Sequence, residues 1–293
     1  MTAIGSIAVA GFKYGIFNQS TLALVFETGF EDYLSNNTEE LHRHLVFYEG
    51  FISIPIEQTL YQAKTGDQLL WEIIEGNGER WFLVYHPENG TLQQQAQYNP
   101  TQQTWTIHCA AQQIQDERVL NPLAYPMAPL LWYVLSTEED LLLIHASGLV
   151  QQEQGRIFAG FSGVGKSTMA GIWERNGAQV INDDRLILKK EKTGAWHLHN
   201  TPMYYRAKPV SGQLNAIYLP FHSPQNSYQK LSGAIAMANL LAFTIHHGYD
   251  SKHLLHHSNV AEQLLQHIPI AKLGVVPTDA IIDFIKANEQ SAS

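Results

Sequence analysis

Over the first third of the chain, apolar residues come in short runs separated by turn formers: Phe51-Ile-Ser-Ile54, Leu69-Leu-Trp-Glu-Ile-Ile74, Trp81-Phe-Leu-Val-Tyr85 and Thr104-Trp-Thr-Ile-His108. Successive strand residues point to opposite faces, so runs of this length and alternation predict β-strands. Gly76-Asn-Gly78, Pro87-Glu-Asn-Gly90 and Asn99-Pro100 separate them and suit hairpins. The pattern predicts a mainly antiparallel β domain with one helix near Thr38 to Val46. Gln93-Gln-Gln-Ala-Gln97 reads as a solvated strand edge or loop, because it is too short to behave as a low-complexity domain.

The texture changes after residue 118. Asn121-Pro-Leu-Ala-Tyr-Pro126 leads into an apolar helix from Met127 to Leu135, then a buried strand Leu141-Leu-Leu-Ile-His145 and the run Ser147-Gly-Leu-Val150. After a turn at 152–155, the strand Arg156-Ile-Phe-Ala159 runs directly into Gly160-Phe-Ser-Gly-Val-Gly-Lys-Ser-Thr168. A strand, a glycine loop carrying Lys-Ser and a helix from Ser167 to Arg175 make the setting of a nucleotide phosphate loop. Glycine lets successive backbone N–H groups turn inward, and the helix N-terminus adds positive potential. Lys166 is placed to reach the β- and γ-phosphates, Ser167 to ligate Mg²⁺, and Ser162, Gly163, Val164, Gly165 and Thr168 to line the phosphates. Gly177 ends the helix, and Ala178-Gln-Val-Ile-Asn-Asp-Asp184 predicts a strand that delivers two adjacent carboxylates. Beside a triphosphate, one of them can hold Mg²⁺ while the other accepts a proton from an attacking hydroxyl.

Three spaced motifs, His145-Ala-Ser-Gly148, Gly160 to Ser167 and Asn182-Asp-Asp-Arg185, together resemble the catalytic core of HPr kinase/phosphorylase and of kinases related to it and to ATP-dependent phosphoenolpyruvate carboxykinase. The resemblance covers residues 121–225 most closely. It implies an α+β fold: a β-rich N-terminal domain (1–118) followed by a P-loop kinase core of that type (119–293), rather than a doubly wound parallel sheet. It further implies ATP on the loop, Ser167, Asp183 and Asp184 organising magnesium, one aspartate as general base, and His145 beside the transferring phosphoryl group. Arg185 is a candidate to orient the acids, and Arg206 a candidate phosphate or substrate contact. Homo-oligomeric assembly is implied as well. The segment Glu-Ile-Arg-Gly-Leu-Gly that the family associates with its phosphorylase reaction is missing, which puts in doubt both HPr as the substrate and phosphate-dependent dephosphorylation.

Composition narrows the picture. With 18 Lys and Arg against 27 Asp and Glu, the formal charge is −9, which argues against a nucleic-acid partner that would need a basic surface. Cys109, the only cysteine, cannot form an internal disulfide, and the chain opens with neither a basic leader nor a long apolar run. A cytoplasmic protein with no membrane partner is the expectation. Fourteen histidines are present, and His246, His247, His253, His256, His257 and His267 crowd the last third. On a helix from Ser251 to His267, His253 and His257 share a face, as two metal ligands would. No acid or cysteine completes a set, and Leu254, Leu255, Leu264 and Leu265 supply the apolar stripe, so the histidines read as a solvated face.

These features predict a Mg-ATP-dependent serine-type kinase whose acceptor is a hydroxyl on a small protein or peptide. A kinase acting on a small-molecule hydroxyl and an ATP-binding regulatory module without transfer are the alternatives.

Overall fold

The computed structural model describes residues 2–202 and 208–291 of the chain, so Arg206 lies outside the described residues. The fold is mixed α/β and rich in strand, and it divides into two compact units. The first holds residues 1–132 together with 202–208 and 247–249, and the second holds the remainder.

In the first unit, β1 (Gly5–Val9), β2 (Phe12–Asn18), β3 (Ala23–Leu24), β4 (Leu34–Ser35), β5 (Arg43–Glu49), β6 (Gln58–Thr65), β7 (Gln68–Gly76), β8 (Glu79–Tyr85), β9 (Leu92–Asn99), β10 (Thr104–Cys109), β11 (Gln112–Ile114) and β12 (Glu117–Leu120) follow one another. Nine of them form a sheet in the order β4-β1-β2-β5-β10-β9-β8-β7-β6, and β11-β12-β3 form a small second one. The hairpins expected at Gly76–Gly78, Pro87–Gly90 and Asn99–Pro100 join β7 to β8, β8 to β9 and β9 to β10.

Three expectations fail in this unit. No helix forms at Thr38–Val46; the apolar end of that stretch is β5, paired in parallel with both β2 and β10. The glutamines lie on β9, in the interior of the sheet between β8 and β10, with Gln94 and Gln95 buried. Phe51–Ile54 is not a strand. The Gln95 side-chain amide stands in for a strand beside Ile52: Nε2 donates to Ile52 O at 3.0 Å and Oε1 accepts from Ile52 N at 3.0 Å. Gln94 Nε2 likewise donates to Asn121 O and Pro122 O, both at 3.1 Å. Backbone groups satisfy both polar atoms of the Gln95 amide and the Nε2 of Gln94, which is what makes buried amides tolerable.

The division between the units falls within α1 (Met127–Glu138). The second unit continues through β13 (Leu141–Gln151), β14 (Gln154–Ala159), α2 (Lys166–Arg175), β15 (Gln179–Asn182), β16 (Arg185–Lys190), β17 (Trp196–Asn200), β18 (Ser211–His222), β19 (Ser227–Leu231), α3 (Gly233–Phe243), α4 (Ser251–Leu265), β20 (Ile270–Val275) and α5 (Ala280–Ser291). Its sheet runs β14-β13-β16-β17-β18-β20-β19, with β15 also on β13 and β14 also on β18. Most pairings are antiparallel, but β14–β18 and β18–β20 are parallel, so this is not a doubly wound parallel sheet.

Both faces of that sheet are covered, which explains its near-continuous apolar strands. Ile157 and Ala159 of β14 and Ile217 and Leu219 of β18 share one core with Ala236 and Leu240 of α3 and Val260, Ala261 and Leu264 of α4. The intervening Phe158 and Tyr218 point to the opposite core, with Met169 and Trp173 of α2 and Ile281 and Ile285 of α5. Two layers of helix thus hold the strand–loop–helix between β14 and α2.

The apolar stripe of α4 differs from the expectation. His257 is 0% exposed while Leu255 is 63% exposed and Leu254 also faces solvent. His257 Nε2 lies 2.9 Å from Ser136 O and 3.0 Å from Ser136 Oγ, and His253 Nδ1 lies 3.1 Å from Tyr133 Oη. These histidines are the seam of α4 against α1, not a solvated face. Among the described residues no group of three or more His, Cys, Asp or Glu side chains could hold a metal ion, and no helix is long and apolar enough to cross a membrane.

Candidate functional site

β14 ends at Ala159, and residues 160–165 turn back to start α2 at Lys166. Gly163 and Gly165 take φ of 83° and 99°, the left-handed region in which a side chain is strained. A Cβ at either position would meet nothing within 4 Å, so the backbone conformation, not crowding, calls for glycine. Gly160 has the opposite reason: an added Cβ would press on Val164 Cγ2 at 2.7 Å. Gly165 is the N-cap of α2 and provides no side-chain bond to the first turn, which leaves the leading N–H groups open to an anion. Ser162, Ser167 and Thr168 lie on the exposed side of the loop and first turn.

Lys166 is 8% exposed and folds over the loop, its Nζ donating to Gly160 O at 2.7 Å and Phe161 O at 3.1 Å. Burial lowers its pKa, and the negative charge of Asp184 works against that shift. His222, at the end of β18, approaches the loop from the sheet, with Nε2 3.2 Å from Gly163 O. No sequence signal marked His222.

The acids sit where one edge of β13 passes from β16 to β15. Leu141–His145 pair with β16, and from Ala146 onward the strand pairs with β14. β15 and β16 lie along the same strand, and Asp183 and Asp184 occupy the bend between them. Asn182 holds that bend: its Oδ1 accepts from Asp184 N at 2.8 Å and Arg185 N at 3.2 Å, while its Nδ2 donates to Asn200 Oδ1. An asparagine that serves the backbone of a turn in this way fixes the direction of the residues that follow.

Asp184 faces three cationic or potentially cationic groups. His145 Nδ1 lies 3.1 Å from Oδ1, Arg185 Nη1 lies 2.7 Å from Oδ2, and Lys166 is near enough to act on its charge. Burial alone would raise the carboxyl pKa, but the His145 hydrogen bond and the three neighbouring charges outweigh it and hold the group below its ordinary value. Asp183 differs. Its Oδ1 is buried with no hydrogen-bond partner among the described residues, although the residue as a whole is half-buried.

The second unit therefore brings His145, Lys166, Asp184 and Arg185 together, with Asp183 on the same bend and Ser167 on the first turn of α2. Adjacent carboxylates and a glycine loop at a helix N-terminus fit a cation and a phosphate chain respectively. Beside the loop lies a cavity of about 530 Å³ lined by Phe161, Val164, Pro220, Asn239, Phe243 and Lys272, among others.

No protein-family model matches the chain, and no curated protein matches it. Among solved structures, the Hpr(Ser) kinase/phosphatase from Coxiella burnetii aligns with 51% of this chain and 97% of that chain, at 13% identity and a TM-score of 0.31. Likeness at that level is weak and establishes neither ATP binding nor phosphoryl transfer for this chain.

Proposed function

We propose that the chain is a Mg-ATP-dependent kinase that transfers the γ-phosphoryl group to a serine-type hydroxyl of a small protein or peptide. The observation that carries this reading is the division of labour between the two acids. Asp184, held at low pKa among His145, Arg185 and Lys166, stays ionised, which suits a metal ligand and makes a poor base. Asp183, on the same bend, is left to act as the proton acceptor.

Ser167 and Asp184 would hold Mg²⁺, whose part is to neutralise charge on the β- and γ-phosphates. The loop N–H groups from Ser162 to Thr168 receive the phosphate oxygens, and Lys166 exchanges its bonds to Gly160 O and Phe161 O for theirs. Arg185 stays on Asp184, and His145 borders the transferring group. Asp183 takes the proton of the acceptor hydroxyl as that oxygen bonds to the γ-phosphorus and the bond to the β–γ bridging oxygen breaks. Phosphoryl transfer needs little more than such positioning and charge neutralisation.

The cavity beside the loop favours a second reading, a small-molecule acceptor, because about 530 Å³ lies within the range of small-ligand sites. Calorimetric titration of Mg-ATP into the full chain tests the nucleotide half of the proposal. Saturable binding that Lys166→Ala removes, with the variant still folded by circular dichroism, is expected. Equal binding by wild type and variant, or none by wild type, contradicts it.

A further inference from the structure

Ser147 lies two residues beyond His145 on β13 and so on the same face of the strand. It is fully buried, and its Oγ has no hydrogen-bond partner among the described residues. Ala146 and Gly148 flank it and Phe158 pairs with it, so alanine would serve this position with no polar atom to satisfy. A buried hydroxyl without a partner is costly, and such groups in folded proteins have partners, often ordered water.

The strand register supplies one. β13 pairs His145 with Arg185 and Gly148 with Asn182, and between them Ala146 N donates to Asp184 O at 3.1 Å. One antiparallel register runs through all three, which sets Ser147 opposite Asp183. Directly opposed residues of an antiparallel pair hold their Cβ atoms about 4.5–5.5 Å apart. Ser147 and Asp183 thus occupy opposed positions of that register, and Ser147 Oγ and Asp183 Oδ1 are both buried with no hydrogen-bond partner among the described residues. Neither bonds the other directly, and a buried water that joins polar groups removes both deficits at once.

We infer that Ser147 is a positioning residue for Asp183. An ordered water accepts from Ser147 Oγ–H and donates to Asp183 Oδ1, which fixes the carboxylate and leaves its second oxygen for the acceptor hydroxyl. The catalytic consequence rests on the reading of Asp183 as proton acceptor; the bridge itself does not.

The test has an arm that needs no nucleotide. In urea unfolding of the full chain, Ser147→Ala should raise the unfolded-to-folded ratio about fivefold, the scale of one lost hydrogen bond. Its effect should vanish when Asp183→Ala is already present, and Ser147→Thr, which keeps the hydroxyl, should retain most of the coupling. Unchanged or improved stability in Ser147→Ala would mean that the hydroxyl has no partner and would overturn the inference whatever the site binds. The second arm uses Mg-ATP hydrolysis with water as acceptor. Ser147→Ala should lower kcat about tenfold with KM for ATP unchanged, the usual low end for loss of an outer support of a site, and Ser147→Thr should restore it. A matched loss in both threonine and alanine variants counts against the bridge. Coupled stability in a wild-type protein that neither binds nor hydrolyses Mg-ATP would instead sink the kinase reading and leave the Ser147–Asp183 bridge standing.

Discussion

Asp184 carries more of the site's electrostatics than any other side chain, because His145, Arg185 and Lys166 all bear on it. Asp184→Asn should therefore do more than lower turnover by about 10² or more. It should also weaken the magnesium dependence, since the group that stays ionised is gone; a magnesium titration of turnover checks this. Asp183→Asn should cost a similar factor without moving the magnesium midpoint. The candidate residues were legible in the sequence because loop chemistry is local: Gly163 and Gly165 are needed for their own φ values, and Lys166 and Ser167 follow at fixed offsets. What was not legible is which acid does what. That depends on the register of β13 against β15 and β16, which sets the imidazole against Asp184 and Ser147 at the position opposite Asp183. Register between distant strands leaves no mark in either segment alone.

Among the elements, α5 is fastened to the sheet by a buried ion pair. Arg156 of β14 is 1% exposed; its Nη2 lies 2.5 Å from Glu289 Oε2, its guanidinium stacks over the Trp173 ring at 4.8 Å, and Tyr218 Oη donates to Glu289 at 2.7 Å. Removing one partner of a buried pair leaves the other charge uncompensated, so Glu289→Ala should destabilise the protein by about 3 kcal/mol, read as a shifted urea midpoint. Element types were recovered best where period and turn chemistry agreed, as in β7, β8 and β10 with their hairpins. They were missed where partners overrode local pattern. β5 is a strand because β2 and β10 pair with it on both sides, and in Phe51–Ile54, which is not one, the backbone N–H and C=O of Ile52 bond to the Gln95 amide instead of a neighbouring strand. The leucines of α4 misled for a related reason, since His257 found its partner on α1 and took the buried place.

For the whole molecule, the histidines whose pKa burial lowers should weaken stability toward acid. Burial lowers His257 from 6.5 to about 4 against the opposing effect of its Ser136 hydrogen bond, with His256, His253 and His246 adding to the depression. Burial also lowers His199 to about 4, against the pull of Glu191 and with the help of Lys189 and His197. In both cases the unfolded chain binds the proton more readily, so the contribution is complete above pH 6.5 and is lost as pH falls toward 4. For His257 alone the loss is on the order of 3 kcal/mol. Denaturant midpoints measured across that range should fall with pH, and His257→Gln, which keeps a donor but does not titrate there, should flatten the slope. The same fall in both proteins would assign it to other groups.

The most direct measurement is the movement of label from γ-labelled ATP to hydroxyl-bearing peptides and small proteins in the presence of Mg²⁺, with wild type and Asp183→Asn compared at saturating nucleotide. Transfer to an acceptor by wild type, lower by about 10² or more in the variant, is the expected result. Equal transfer by the two proteins would contradict the assignment of Asp183 as the proton acceptor, and nucleotide binding with no transfer to any hydroxyl would contradict the kinase itself.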